Sequence, residues 1–175
     1  MAGENGGPCP CEGHGHGDLG PVAGEESLAR VVVSPQHISK KDGSIKPGLF
    51  APSHINESGL SLMRRDHMNF EKFTEQVAAV TKKAGVAIGI RTAKASDLRA
   101  EVNAAGERDL CVHDDPIMGD EHLPDNPAHA EAKVPKKFEN HLDPEVLRIQ
   151  GRLMDIFGPL VKLEDVYAKD AAAET

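Results

Sequence analysis

The sequence has few aromatic residues and no excess of positive charge. Only 3% of its 175 residues are aromatic, with no tryptophan and a single tyrosine, so the core must be aliphatic. Surfaces that stack the bases of single-stranded nucleic acid need several aromatic side chains on one face. The net charge of −8 also argues against a bulk surface for phosphate backbones, which bind to lysine and arginine in excess. Nucleic acid is therefore not an expected partner.

Long apolar runs are also lacking. No stretch reaches the roughly 18 apolar residues of a membrane-spanning helix. The first residues do not show the cationic start and apolar core of a signal peptide. Cysteine is scarce: Cys9, Cys11 and Cys111 make an odd number, which is not typical of a disulfide framework. These absences predict a cytoplasmic protein, with reduced cysteines and no membrane segment.

The first 24 residues are rich in glycine, proline and histidine. Such a composition buries too little apolar surface to offset the entropy of ordering, so residues 1–24 are predicted to be a disordered tail. Within this tail Cys9, Cys11, His14 and His16 form the pattern C-x-C-x-x-H-x-H. We favour a flexible leader of biased composition, and the alternative is a segment that binds zinc or copper.

The remaining pattern predicts strands and helices within one domain. Apolar or alternating runs indicate strands at Val31–Val33, Leu60–Met63, Val86–Ile90, Leu110–Val112 and Ala128–Val134. In the last of these runs the alanines should share one face, with His129 and Glu131 on the other.

Helix signals are fewer but clear. Asn69 precedes residues at helical spacing, Ser96 is a cap for a short helix through Ala105, and Asp143-Pro144 begins a helix through Phe157. Asp42-Gly43 lies between Ile38 and Ile45 and predicts a loose hairpin. The expected fold is a single α+β domain over residues 25–167, with a small mixed sheet, about three helices and a frayed end at residues 168–175.

The segment from Leu110 to Val134 collects more titratable side chains than any other window. If its two strands are neighbours, nitrogen and oxygen ligands converge in a set that suits zinc, manganese or non-haem iron. The predicted metal ligands are His113, Asp115, His129 and Glu131. The alternative is that the loop is merely a solvated acidic surface.

Two short motifs in this segment suggest other interpretations. The string His129-Ala130-Glu131 is similar to the H-A-E of zinc nucleoside deaminases, but the downstream cysteines of that signature are missing. Cys111 lies two residues from His113, which permits an activated thiol. A small buried cysteine is the favoured interpretation of Cys111.

A second group of residues indicates an anion site. Arg64 and Arg65 end a strand just after Ser61, and guanidinium groups bind phosphate or carboxylate bidentately. We assign ligand binding to Arg64, Arg65 and His37. The alternative is that the arginines form ion pairs with the acidic loop.

Several short motifs occur in order: Arg30 to Pro35, Asp42-Gly43, Phe50-Ala51-Pro52, Leu60-Ser61-Leu62 and Asn126-Pro127-Ala128-His129-Ala130. Together they resemble a family of small uncharacterised bacterial proteins with R-x-V-x-P, D-G, F-x-P, L-S-V and N-P-x-H-A motifs. The resemblance spans about Arg30 to Glu131. It implies no reaction, but it draws attention to Ser61 and His129, which are polar groups within otherwise apolar motifs.

The function expected from the sequence is a polar His/Arg/acidic cleft that binds a phosphorylated or otherwise anionic small molecule or nucleotide. If the cleft is catalytic, His129 is the general base, because its ordinary pKa is already near neutrality. Ser61 and Glu131 complete the catalytic set, with Glu131 orienting the imidazole or holding a divalent metal. The alternative function is a non-catalytic interaction or immunity-type accessory protein, whose acidic loop binds a basic protein partner.

Overall fold

Alternating apolar residues build one antiparallel sheet in the computed structural model, which describes residues 9–82 and 85–173. Its six strands are β1 (Ser27–Pro35), β2 (Leu60–Arg64), β3 (Gly85–Lys94), β4 (Cys111–Asp114), β5 (His129–Lys133) and β6 (Val161–Lys162). They lie in the order β4-β5-β2-β1-β3-β6, and every pairing is antiparallel rather than mixed. The α+β class is confirmed.

The helices are α1 (Phe70–Thr81), α2 (Ala95–Ala100), α3 (Pro144–Ile156) and α4 (Leu163–Ala173). Short helical turns at Pro47–Phe50, His54–Ser58 and Arg65–His67 flank β2. Two predicted caps are present: the side chain of Asn69 accepts from Lys72 N, and that of Asp143 accepts from Glu145 N. The prediction of Ser96 as a cap is wrong, because Ser96 lies inside α2, whose N-cap is Lys94 without a side-chain hydrogen bond.

Both faces of the sheet are buried because alternate residues of each strand point to opposite sides. On one face Leu28, Leu62 and Val112 pack with α2, α3 and the ring pair Phe50 and Phe157, whose centroids are 4.7 Å apart. The other face carries a second apolar cluster, in which Ala29, Val31 and Met63 pack beneath α1 and α4. The sheet therefore lies between two layers of helix.

Several boundaries differ from the sequence prediction. Helix α2 ends at Ala100 rather than Ala105, because a bridge between Val102 and Arg108 forms a turn there. Ala128 joins the α1 side of the sheet, whereas Ala130 and Ala132 pack on the α3 side. It precedes β5, so strand alternation does not yet apply to it.

The helices in the C-terminal part of the chain also differ from the sequence prediction. Leu153 of α3 is fully buried, whereas Leu147 of the same helix is 41% exposed, so only some of its apolar side chains face the core. Helix α4 was not predicted, and it includes residues up to Ala173 that were expected to fray. Residues 174–175 lie outside the described range.

The predicted disordered tail divides at residue 9. Residues 1–8 lie outside the described range. Residues 9–24 contain neither helix nor strand, as their composition suggests, yet they contact the domain. Cys9 forms a disulfide with Cys111, and Val22 is buried in the core on the α3 side. Residues 9–24 thus contact the domain through polar groups and a covalent bond, with little apolar surface.

None of the helices in the described ranges combines the length and the apolar character that crossing a membrane requires. The expectation of reduced cysteines does not hold for Cys9 and Cys111. The argument from free thiols to a reducing cytoplasm therefore no longer applies to this pair.

Candidate functional site

One face of the sheet carries a polar row across three neighbouring strands. His113 of β4 lies opposite Glu131 of β5, and Glu131 lies opposite Ser61 of β2. The next pair on the same face is Met63 and His129. Residues opposite each other in antiparallel strands share a face, and diagonal neighbours are within reach of long side chains. The register thus places Ser61 and His129 side by side.

Ser61 and His129 form a direct hydrogen bond. The Oγ atom of Ser61 is 2.7 Å from Nε2 of His129. Ser61 is exposed at the surface, whereas His129 is buried, with 7% of its surface accessible. The sequence assigned both residues to the catalytic set, and the structure brings them together although 68 positions separate them.

The second ring nitrogen of His129 is held by Asp115. Its Nδ1 atom lies 2.6 Å from the backbone oxygen of Asp115 and 3.2 Å from the Oδ2 atom of the same residue. Asp115 follows β4, and its backbone N–H donates to the carbonyl of His129. A backbone bridge between Ile117 and Asn126 closes the acidic loop just beyond Asp115. The imidazole is therefore fixed from both sides.

These contacts determine which ring nitrogen of a neutral His129 side chain carries the proton. A backbone carbonyl accepts hydrogen bonds and cannot donate them, so the proton of the neutral imidazole lies on Nδ1 and is donated to Asp115. Nε2 is then an acceptor, and the hydroxyl of Ser61 donates to it. A serine hydroxyl that donates to an oriented imidazole is the arrangement of an activated nucleophile.

A cavity of about 210 Å³ lies beside Ser61. It is formed where β1 and β2 diverge, since they pair only at Leu28 with Arg64 and at Ala29 with Met63. The apolar part of its lining is Ala29, Val31, Val33, Met63 and Val80. Gln36 and His37 add polar groups to the same wall. Arg30 also belongs to the lining, so the nucleophile candidate faces a small space that is part apolar and part polar.

Arg30 crosses the gap between the diverging strands. Its Nη1 atom donates to the backbone oxygen of Ser61 at 2.8 Å, and its Nε donates to that of Leu49 at 3.2 Å. Burial lowers the pKa of Arg30 to about 10, which still leaves the side chain charged at neutral pH. Arg30 thus holds the backbone of Ser61 in place, a role that the sequence did not indicate.

Glu131 does not orient His129, contrary to the sequence prediction. Its Oε1 atom lies 2.6 Å from Nζ of Lys133, and its side chain packs over Gly59. A Cβ atom at Gly59 would lie 2.0 Å from Cγ of Glu131, so only glycine fits there. Asp115 takes the orienting position instead. The sequence proposed Asp115 only as a metal ligand, because no local pattern reports a contact made across a loop.

Arg64 is a structural residue, and its assignment to ligand binding is corrected. The side chain is buried, and its guanidinium pairs with Glu26 at 2.7 Å and with Asp114 at 2.8 Å. It also donates to the carbonyls of Gly20 and Pro21. Hydrogen bonds to buried carboxylates occupy the nitrogens that an anionic ligand would need. Arg64 has the role that the sequence suggested as the alternative, which is an ion pair with acidic side chains.

The other two residues assigned to anion binding are also engaged within the protein. Arg65 lies over the ring of Phe73, with the guanidinium carbon 4.2 Å from the ring centroid, and donates to the carbonyl of Met68. His37 accepts a hydrogen bond from Val33 N at its Nδ1 atom. Burial, together with the charges of Arg30 and Lys46, lowers the pKa of His37 to about 4, so it is uncharged at neutral pH. Arg65 and His37 therefore do not form a cationic pocket together.

The four predicted metal ligands are brought near one another only in pairs. His113 faces Glu131 across β4 and β5, and Asp115 contacts His129. Within residues 9–82 and 85–173 no group of three or more histidine, cysteine, aspartate or glutamate side chains is arranged to hold a metal ion. The pattern in the N-terminal segment loses one ligand as well, because Cys9 is bonded to Cys111. That bond also removes Cys111 as a nucleophile.

A larger cleft of about 780 Å³ lies elsewhere, between the turn at residues 103–109, residues 134–138 and α3. The described residues that line it include no serine, threonine, cysteine or histidine. The smaller cavity is therefore the better candidate, because it adjoins an oriented serine and histidine.

Comparisons of the chain with protein-family models, with curated proteins and with solved structures found no match. The resemblance noted from the short motifs therefore remains a prediction.

Proposed function

We propose that the protein is a serine-dependent hydrolase that cleaves small neutral esters at Ser61. The observation that carries this proposal is the hydrogen-bonded series from Ser61 Oγ to His129 Nε2 and from His129 Nδ1 to Asp115. In this scheme Ser61 is the nucleophile, His129 is the general base and then the general acid, and Asp115 orients the imidazole. Residues in these roles are recognised by mutual geometry rather than by their order in the chain.

The reaction begins with attack of the Ser61 oxygen on the carbonyl carbon of the ester. The hydroxyl proton passes to His129 Nε2, and the same proton then goes to the departing alcohol as the carbon–oxygen bond breaks. An acyl group remains on Ser61. Water, deprotonated by His129, attacks that acyl group and releases the carboxylic acid, and Ser61 regains its proton from the imidazole.

The backbone N–H of Ser61 supplies a donor for the developing oxyanion. In an extended strand the N–H and the carbonyl of one residue point to the same side. The carbonyl of Ser61 points toward β1, where Arg30 contacts it, so the N–H is directed toward the same gap and its cavity. A preorganised donor at this position stabilises charge that develops only in the transition state.

The cavity favours a short acyl group without charge. Its volume of about 210 Å³ is below the roughly 300 Å³ at which pockets for drug-sized ligands begin. Valine, alanine and methionine side chains form its apolar wall, and His37 is uncharged at neutral pH. Arg30 also lines the cavity, but its guanidinium donates to the backbone carbonyls of Ser61 and Leu49. An acetyl or butyryl group suits this space better than a long chain or a phosphorylated ligand.

The test is hydrolysis of p-nitrophenyl acetate, butyrate and octanoate by the purified protein, together with labelling by a fluorophosphonate. We expect turnover of the two short esters, poor turnover of the octanoate, and a covalent adduct on Ser61 by mass spectrometry. Ser61→Ala and His129→Ala should each lower kcat/KM at least about 100-fold, the scale of lost nucleophilic or general-base catalysis. Ser44→Ala, in an exposed turn, is the matched control and should react as wild type.

A folded wild-type protein that hydrolyses none of the three esters above the blank, and whose Ser61 is not labelled, would overturn the proposal. Labelling of Ser44 to the same extent as Ser61 would also count against it, because an activated serine reacts selectively.

A further inference from the structure

Residues 9–17 lie along the outer edge of β4, and residues 9–12 are attached there at two points. The first is the disulfide between Cys9 and Cys111, whose Cα atoms are 5.6 Å apart. The second is Glu12, which accepts from Arg108 at 2.7 and 2.8 Å and from the backbone N–H of Val112. Burial raises the pKa of Glu12, but these hydrogen bonds outweigh it and hold the pKa below its ordinary value. The carboxylate is therefore charged and serves as a clamp on the edge strand.

The same segment braces the residues on both sides of Asp115. The backbone N–H groups of His16 and Gly17 donate to Oδ2 of Asp114 at 2.7 and 2.8 Å. Gly17 also lies against Pro116, since a Cβ atom added to it would be 2.9 Å from Pro116 Cγ. Asp114 and Pro116 are the direct neighbours of Asp115, which orients His129. A chain of contacts thus runs from the disulfide to the imidazole.

Few apolar contacts hold this segment. Of residues 9–17 only Cys9 is buried, while Glu12 and Gly17 are half-buried and the others are exposed. Segments with little buried apolar surface open locally at low free-energy cost. The disulfide joins residues 102 positions apart and keeps the segment next to β4 whenever its hydrogen bonds break.

We propose that the thiol–disulfide state of Cys9 and Cys111 regulates the Ser61–His129–Asp115 site. This inference rests on the proposed hydrolase function. With the disulfide formed, residues 14–17 confine Asp114 and Pro116, and Asp115 holds the imidazole in place. With the disulfide reduced, the segment leaves β4, Asp115 gains freedom, and His129 is less often aligned with Ser61. Asp114 and Gly17 are positioning residues in this scheme.

The reductant is a dithiol. One of its thiolates attacks a sulfur of the disulfide, which breaks the bond between Cys9 and Cys111 and forms a mixed disulfide. The second thiol of the reductant then displaces the protein sulfur. Two electrons and two protons pass from the dithiol to the protein, which is left with two thiols, and the reductant becomes a cyclic disulfide. Cys9 is the point of attack we assign, because it is 8% exposed whereas Cys111 is 2% exposed.

The effect on catalysis should fall on kcat. Misalignment of the general base leaves the acyl cavity intact, so KM should change little while kcat falls about 10-fold on reduction. The free and exposed Cys11 introduces a second possible disulfide partner. Experiments therefore use the Cys11→Ser variant as the parent, since this residue contacts no part of the site.

The experiment compares the oxidised parent, the parent reduced by dithiothreitol, the reoxidised parent and the double variant Cys9→Ser/Cys11→Ser. Hydrogen exchange is followed at residues 13–19 and 113–117, with α3 as an internal control for global folding. In the same samples kcat and KM are measured with p-nitrophenyl acetate. Reduction should raise exchange in the two segments and not in α3, lower kcat about 10-fold, and both changes should reverse on reoxidation. The double variant should behave as the reduced parent does and should not respond to dithiothreitol.

The possible failures are distinct. Unchanged exchange at residues 13–19 and 113–117 on reduction would overturn the regulatory proposal whatever the activity. Increased exchange throughout α3 would also overturn it, because the disulfide would then support the whole fold. Increased exchange in the two segments with kcat unaffected would also overturn the proposal, because Asp115 would then orient His129 without the help of residues 9–17. Local exchange that responds to reduction, without ester hydrolysis in any state, would overturn the hydrolase and the control of its activity together.

Discussion

Ser61 and Arg64 lie three residues apart on β2, and their surroundings are opposite. Arg64 is fully enclosed, and two carboxylates and two carbonyls surround its guanidinium. Ser61 is exposed at a cavity, and its hydroxyl contacts a buried imidazole. A charged group that is enclosed and fully paired supports the fold, whereas an exposed hydroxyl aligned with a base remains available for chemistry.

The pKa shifts of Glu26 and Arg64 also indicate that Arg64 has a structural role. Burial alone would raise the pKa of Glu26, but hydrogen bonds from Arg64 and Ala23 outweigh it and hold the pKa below its ordinary value. For Arg64, burial lowers the pKa, and the partners Glu26 and Asp114 more than reverse that effect. Both groups are therefore charged inside the protein and depend on each other. Ser61, by contrast, carries no charge, and its hydroxyl is held by a single hydrogen bond to His129.

The largest expected effect on stability comes from the replacement of Arg64. Arg64→Met should lower the free energy of unfolding by about 3–5 kcal/mol, since it removes the guanidinium that neutralises the buried carboxylates of Glu26 and Asp114. Urea unfolding measures this change. Arg152→Met is the control, because Arg152 is half-exposed where it pairs with Glu101, and its loss should cost less than about 1 kcal/mol. Equal effects of the two substitutions would remove the contrast between Arg64 and a surface ion pair.

The next effect concerns His37, which lines the same cavity as Ser61. Its pKa in the folded protein is about 4, below the ordinary value of 6.5. As pH falls below 6.5 the unfolded chain binds a proton that the folded chain does not, so stability is present above that pH and is lost toward pH 4. The loss is at most about 3 kcal/mol. Urea unfolding between about pH 7 and about pH 4.5 should show a shallower decline for His37→Gln than for wild type.

The exposed His141→Gln variant is the control for that series, and its pH dependence should match that of wild type. A decline in His37→Gln as steep as that of wild type would mean that other groups set the pH dependence.

His129 lies between the two extremes. It is buried and hydrogen-bonded at both ring nitrogens, so His129→Ala should cost about 1–3 kcal/mol in addition to its effect on ester hydrolysis. Thermal unfolding of this variant and of His122→Ala, an exposed residue of the acidic loop, makes the comparison. A His129 variant as stable as His122→Ala would indicate that the imidazole is not held as described.

The smallest effect on stability should come from Ser61. Its side chain is exposed, so Ser61→Ala should change the free energy of unfolding by less than about 1 kcal/mol while it removes the fluorophosphonate adduct. Thermal unfolding and mass spectrometry of the same preparation check both parts. A loss of several kcal/mol would place Ser61 with Arg64, as part of the structural framework.

Much of the fold was predictable because local chemistry specifies it. Asn69 and Asp143 cap helices as their side chains allow, and the valines of β1 form a central strand. The bridge between Ile38 and Ile45 follows from the Asp42-Gly43 turn. Ser61 and His129 were also identified as polar groups in apolar motifs. Their partnership was not, because the register of β2 against β5 decides it.

The sequence by itself determined five of the strands, the helices α1 to α3, the aliphatic core and the residues capable of chemistry, since propensity, capping and alternation act over a few positions. Only the tertiary structure decided the roles of those residues. It enclosed Arg64 between Glu26 and Asp114, turned Glu131 toward Lys133, and brought Asp115 to His129 across a closed loop. It also bonded Cys9 to Cys111 over 102 positions. Contacts at such separations depend on strand order and register, which no short stretch of sequence contains.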